Sequence, residues 1–186
     1  DASLAERAEI IREKGTNRGQ FSRGVVDKYT WVDIGSSYLP SELIAAFLWA
    51  QMEQADSITQ RRISMWRRYQ DAFEELEIEG RVRRPVVPQD CAFNAHIYYL
   101  LLPSAGHRQT FIQALREQGV HAVFHYVPLH DAAAGKRLGR ASGSMDNTND
   151  LSARLVRLPL WIGLEADQDR VIELCMRTLR GLRPSA

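Results

Sequence analysis

From Ser41 to Leu76 the chain contains neither glycine nor proline, and its apolar residues recur at helical spacing: Leu43, Ala46, Phe47 and Ala50, then Ile58, Met65, Tyr69, Phe73 and Leu76. Pro40, just ahead, suits a first helical turn, where its missing N–H has no intrahelical partner to lose. At about 1.5 Å per residue, an unbroken helix over this stretch would be about 54 Å long, longer than a small domain is wide. The fold must accommodate such a rod, and a helix of that length suits a bridge between two domains.

Upstream, Leu4, Ala8 and Ile11 predict a helix running to Lys14 and closed by Gly15, a residue suited to the left-handed cap. Helical spacing is under way from the outset, as though the chain had been cut from something longer. Asp1-Ala2-Ser3-Leu4 does not read as a signal peptide, and no apolar run approaches the roughly 18 to 20 residues needed to span a bilayer. Residues Thr16 to Leu39 show no sustained period. A connection this long is uncommon and often functional; it reads either as a loose surface loop or, from Phe21, Tyr29 and Trp31, as a segment that packs on something.

Past Gly80 the texture changes. Pro85-Val86-Val87-Pro88 is an extended linker, and His96 to Leu102 is a β-type run ended by Pro103. Phe111, Ile112 and Leu115 mark a helix stopped at Gly119. His121 to Val127 predicts a second strand closed by Pro128, and Asp131 to Asp150 a polar, mobile loop. Leu155 to Leu160 predicts a third short strand, and Gln168 to Leu182 a terminal amphipathic helix.

Chemistry is constrained by what the composition lacks. The 24 lysines and arginines oppose 23 aspartates and glutamates, a net charge of +1, so no field steers the chain toward nucleic acid or membrane. The arginine-rich stretches Arg61-Arg62, Arg67-Arg68 and Arg81-Val82-Arg83-Arg84 are interleaved with acids and read as solvated surface rather than an RNA-binding face. Only Lys14, Lys28 and Lys136 are lysines, so any mechanism that needs a lysine amine has three candidates. Cys91 and Cys175 form no C-x-x-C pair, which points to reduced thiols in a cytosolic setting rather than a disulfide framework or a zinc site. There is no Gly-x-Ser-x-Gly elbow and no Walker or Gly-x-Gly-x-x-Gly motif; Gly35-Ser36-Ser37, ahead of a helix start, reads as a simple cap or as an anion site.

The histidines are the most suggestive cluster. His121, His125 and His130 fall within ten residues, and in a strand His121 and His125 would share a face. Three readings stand: a metal site, though only Asp131 is near to supply a carboxylate; ordinary hydrogen-bonded histidines; or contacts to a substrate or cofactor.

Several segments together resemble the DegT/DnrJ/EryC1/StrS family of sugar aminotransferases. Arg7-Ala8-Glu9-Ile10-Ile11-Arg12-Glu13-Lys14-Gly15-Thr16-Asn17-Arg18 and Val26-Asp27-Lys28-Tyr29-Thr30-Trp31-Val32-Asp33-Ile34-Gly35-Ser36-Ser37-Tyr38-Leu39 are similar to its dTDP-4-amino-4,6-dideoxygalactose transaminase branch, from enterobacterial common antigen and lipopolysaccharide biosynthesis. Val123-Phe124-His125-Tyr126-Val127-Pro128-Leu129-His130 and Arg157-Leu158-Pro159-Leu160 resemble its C-terminal motifs. The resemblance implies an α/β fold, the C-terminal part of an aspartate-aminotransferase-like protein of pyridoxal-phosphate fold type I. Residues 1–40 would be the tail of the large cofactor domain, 41–81 a long connecting helix, and 82–186 the small α/β domain.

It also implies a cytoplasmic homodimer that uses pyridoxal phosphate to move an amino group from glutamate to the 4-keto carbon of a dTDP-4-keto-6-deoxy-hexose. Ser37 stands where many family members place an asparagine that reaches the cofactor phosphate of the neighbouring subunit. His125 and Tyr126 match a strand that looks toward substrate, and His130 matches its Pro-x-His ending. The family's Schiff-base lysine lies in a segment before the match begins, and Lys14 matches only a helix-ending position. The chain by itself is therefore expected to have no catalytic residue and no activity. The alternative reading is a non-catalytic α/β interaction module built from a helical arm and a small domain.

Overall fold

The computed structural model describes residues 3–182, so the reading of the first residues as no signal peptide falls in part, at Asp1 and Ala2, outside the described residues. The chain divides into two compact units, 1–54 and 55–186.

In the first unit, α1 (Ser3–Arg12) ends as the sequence predicts. Gly15 adopts φ +76°, and its N–H reaches the Ile10 carbonyl at 2.8 Å. The chain then returns over that end. Val32 and Asp33 both donate to the Gly15 carbonyl (2.7 and 3.0 Å), Ser36 donates to Ile11 O (2.9 Å), and Lys14 donates to Ser36 O (3.2 Å). Such close backbone approach needs glycine on both sides, because a Cβ on Gly35 would lie 2.1 Å from the Gly15 nitrogen. Residues 16–39 are thus ordered by backbone pairing, with a short helix α2 (Arg18–Ser22) and bridges Glu13↔Ser37 and Thr16↔Trp31. Phe21 and Tyr29 touch at 5.5 Å between ring centroids, yet Phe21, Tyr29 and Trp31 all remain exposed.

The predicted rod is realised as three helices: α3 (Glu42–Met52), α4 (Ala55–Ala72) and α5 (Glu74–Ile78). Pro40 lies outside α3, because Ser41 is the N-cap and its hydroxyl accepts from Ile44 N at 3.4 Å. The first interruption is a tightening of the ladder, where the Gln54 N–H bonds three residues back, to Gln51 O at 3.1 Å, instead of four. The second is at Phe73, whose φ −96° and ψ 7° leave the helical region while its ring is fully buried. Both breaks occur without glycine or proline, which is why the apolar period runs through them.

The second unit is helix-rich around a small antiparallel sheet. Strands β1 (Tyr98–Leu101), β2 (Val123–Phe124) and β3 (Leu155–Leu158) lie in the order β1-β3-β2, with Tyr98↔Leu158 and Phe124↔Val156 among the paired residues. One core joins Tyr98, Leu100, Val156 and Leu158 of the sheet to Met65, Trp66 and Tyr69 of α4. Phe111 and Leu115 of α6 (Ala105–Glu117) and Val171, Leu174, Cys175 and Leu179 of α9 (Gln168–Gly181) complete it. Tyr98 is its hub, 5.0 Å from the Tyr69 ring and 5.4 Å from that of Trp66. Each fully buried large apolar side chain contributes about 1.5–3 kcal/mol. The two tyrosine hydroxyls are satisfied in place, Tyr69 Oη donating to Pro159 O at 2.8 Å and Tyr98 Oη to Gln70 Oε1 at 3.2 Å.

Two expectations are corrected here. The polar stretch 131–150 is not a bare loop, since it holds α7 (Ala133–Leu138) and the first part of α8 (Asp146–Arg154). Gly135 seats α7 directly on the preceding turn, where a Cβ would fall 1.6 Å from Leu129 O. The strand expected over 121–127 shrinks to two residues. Continuing the β2 register past Phe124↔Val156 would set Tyr126 opposite Arg154, and Arg154 is helical. The register could run only one residue further, to His125 opposite Leu155, before its partner turns helical, and His125 to Pro128 lie outside the sheet.

Candidate functional site

That early exit from the sheet creates a cleft. His125, Tyr126, Val127 and Pro128 form one wall, Arg108 and Gln109 of α6 another, and Asn149 and Ser152 of α8 a third, enclosing about 380 Å³. Within this second unit the structure therefore brings His125 and Tyr126 to one cavity. Their rings lie 5.0 Å apart, tilted by 60°. His130 joins indirectly, its Nε2 lying 2.8 Å from Oδ1 of the cavity-lining Asn149. His121 stays apart and exposed, and since it and His125 both fall outside β2, they do not share a strand face.

The polar groups of the cleft are unevenly satisfied. Asp131 is ion-paired with Lys136 at 2.5 Å, and the ammonium hydrogen bond holds its carboxyl below the usual range. Arg108 donates through Nη1 to Ser152 O at 3.2 Å and lies 5.9 Å from the Phe124 ring centroid. Arg108 Nε and His125 Nδ1 are both buried with no partner. Arg108, Asn149 and Ser152 carry no sequence signal that would nominate them; α6 and α8 bring them to His125 only when the sheet forms.

Ser37 belongs to the first unit. It stands opposite Glu13 in a bridge whose bonds are made by its neighbours, Lys14 N to Ser36 O and Tyr38 N to Arg12 O, so its own amide and carbonyl point away from α1. Its side chain is exposed. The three lysines are exposed as well. Among the described residues no three histidines, cysteines or carboxylates are placed to hold a metal ion. No helix of the described residues is long and apolar enough to cross a membrane.

Comparison with known proteins gives this geometry a context. The family model for the DegT/DnrJ/EryC1/StrS aminotransferases matches residues 1–176. The chain is 29% identical, over 76% of its length and 38% of the relative's, to the dTDP-3-amino-3,4,6-trideoxy-alpha-D-glucose transaminase of Micromonospora megalomicea subsp. nigra. In fold it is similar to S. venezuelae DesV, solved in complex with a ketimine intermediate (TM-score 0.81, 23% identity, covering 98% of this chain and 46% of that one). It is likewise similar to Spr1654 from Streptococcus pneumoniae in its PLP-form (TM-score 0.77, 22% identity, covering 99% and 45%). The chain spans less than half the length of the curated relatives it matches, between 38% and 48%.

Proposed function

Because the chain belongs to the DegT/DnrJ/EryC1/StrS aminotransferase family, we propose that it is the C-terminal portion of a pyridoxal-phosphate-dependent nucleotide-sugar aminotransferase. The amino donor is glutamate and the acceptor is the 4-keto carbon of a dTDP-4-keto-6-deoxy-hexose, in a cytoplasmic homodimer serving surface-polysaccharide synthesis of the enterobacterial common antigen and lipopolysaccharide type. The observation that carries this reading is the cleft at the end of β2. It gathers His125, Tyr126 and, through Asn149, His130, three side chains that the family resemblance assigns to substrate.

The chain's own residues bind and orient. Tyr126, mostly exposed, offers its aromatic ring to a sugar, and the Arg157 guanidinium lies over that ring, 5.8 Å from its centroid. His125 and His130 provide ring nitrogens for sugar hydroxyls, and the Asn149 contact fixes the orientation of His130. Ser37 supplies a hydroxyl to the cofactor phosphate. Pyridoxal phosphate, when bound to the whole protein, supplies the electron sink. None of the three lysines has the setting of a covalent anchor, so the portion alone is silent and the rest of the protein contributes the amine.

The test uses borohydride. The chain alone, mixed with pyridoxal phosphate and reduced, is expected to show no stoichiometric label on any lysine by mass spectrometry and no transamination from glutamate. Co-expression with the remaining part of the protein is expected to restore both, with the 4-keto sugar preferred over its 3-keto isomer. Stoichiometric labelling of Lys14, Lys28 or Lys136 in the chain alone would sink the reading.

A further inference from the structure

Of the two helices that wall the cleft, α6 is anchored by its buried Phe111 and Leu115, whereas α8 buries none of its nine residues. Asp146 to Asp150 are exposed, and only the last turn, Leu151 to Arg154, is half-buried. A helix shorter than about 12–15 residues is marginal on its own in water, so the placement of α8 depends largely on the bonds that tie it down. Its first turn is capped locally, Ser144 Oγ accepting the Asp146 N–H at 3.1 Å, and that cap fixes nothing to the sheet.

The ties to the sheet converge on Arg154. Its carbonyl accepts the Leu102 N–H at 3.2 Å, and its guanidinium donates back through Nη1 to Leu102 O at 2.9 Å, so main chain and side chain together hold the helix end to the residue that follows β1. The same guanidinium reaches Asp150, one turn back, through Nε and Nη2 at 2.9 and 2.6 Å. A planar fork serves both partners at once; a lysine ammonium cannot match the carboxylate with two parallel bonds and reach the carbonyl as well. Asp150 follows Asn149, which lines the cleft and whose Oδ1 lies 2.8 Å from His130 Nε2. One further bond, from Arg108 Nη1 to Ser152 O at 3.2 Å, joins the last turn to α6. Arg154 is not among the residues that line the cleft.

We infer that Arg154 is a positioning residue of the cleft. By fastening the last turn of α8 to Leu102 and to Asp150, it holds Asn149 in place, and through Asn149 it holds the His130 ring where a sugar hydroxyl meets it. The inference rests on the proposed substrate cleft only for what meets His130; the mechanical link from Arg154 to His130 stands without it. Arg154 lies outside every segment that carries the family resemblance, so recognition at the cleft is set in part from behind its wall.

Amide hydrogen exchange and the imidazole resonances of the chain, both followed by NMR, test the link. In Arg154→Lys, exchange of the α8 amides is expected to speed about tenfold or more while the amides of β1 and β3 keep their rates, which shows an intact core. The His130 resonances are expected to move toward those of Asn149→Ala, with exposed His121 unmoved. Because Arg154 acts through Asn149, adding Arg154→Lys to Asn149→Ala should move His130 no further. Asp150→Asn, which leaves the Leu102 bond, is the milder variant, expected to speed α8 exchange about two- to fivefold and to move His130 part of the way. In the co-expressed whole protein, Arg154→Lys is expected to raise KM for the keto sugar about fivefold and to leave KM for glutamate unchanged, a split that general loss of structure does not produce. Unchanged α8 exchange in both variants, a His130 signal that stays in place, a further shift in the double variant, or an unchanged KM for the sugar overturns the inference. The NMR measurements need no substrate, so they can fail while restored transamination still supports the proposed function. A whole protein inert toward the keto sugar, with His130 still following Arg154, sinks the proposed function and supports the link.

Discussion

Glu77 shows how much one side chain can organise. At the end of α5 its Oε1 accepts the Arg84 backbone N–H at 2.6 Å and its Oε2 accepts Arg84 Nε at 2.7 Å. Arg84 in turn donates to Gln70 O at 2.5 Å, so one carboxylate ties the extended linker to two helices. Partial burial pushes the Glu77 carboxyl up, and the two Arg84 hydrogen bonds outweigh that and leave it below its ordinary value. A group whose folded pKa is lowered stabilises the fold fully above its unfolded value, near 4.5, and loses that contribution as pH falls through the lowered one. Glu77→Gln should therefore cost about 1 kcal/mol near neutral pH, a figure discounted for the solvent around the pair. The cost should shrink toward pH 3. Urea midpoints of both proteins at the two pH values check this, and an equal loss at both would show that the carboxylate charge is not what matters.

At the scale of elements, the sharpest dependence is the meeting of Gly15 with Gly35. The end of α1 and the segment 31–38 are held by backbone bonds that form only if both positions lack a Cβ. Gly35→Ala places a methyl group 2.1 Å from a backbone nitrogen, which cannot yield as a flexible side chain would. We expect tryptic cleavage at Arg23 and Lys28 to accelerate about tenfold or more, equivalent to a loss of about 1.4 kcal/mol in local stability. The urea midpoint of the 55–186 unit should stay where it was. Wild-type cleavage rates in the variant would show that the contact can relax.

For the whole molecule, the most telling surface is α3. None of its residues is buried, and Leu43, Phe47 and Trp49 are 85%, 71% and 66% exposed. Covering each such side chain is worth about 1.5–3 kcal/mol, enough to drive association of a helix that carries six large apolar residues. The proposed homodimer gives this face a use. Sedimentation over a range of concentrations should show self-association that Phe47→Glu and Trp49→Glu weaken, and a strictly monomeric chain up to about 100 μM would remove the basis for it.

Local signals were legible in the sequence alone. The left-handed cap at Gly15, the three short strands near 98, 123 and 155, the helix over 105–117 and the terminal helix each follow from a period or a punctuating residue acting within a few positions. The resemblance carried by residues 7–39 and 123–130 identified the family. Tertiary structure alone decided where the long apolar run breaks, because Gln54 and Phe73 depart from the helix without any residue that forbids it. It also decided that β2 stays short, since a strand's length is limited by what its partner can pair, and here the partner turns helical at Arg154, opposite Tyr126. The cleft is a consequence of that stop. Arg108, His125 and Asn149 are far apart in sequence and carry no shared pattern, so only the packing of α6 and α8 beside the interrupted strand could bring these three residues to one cavity.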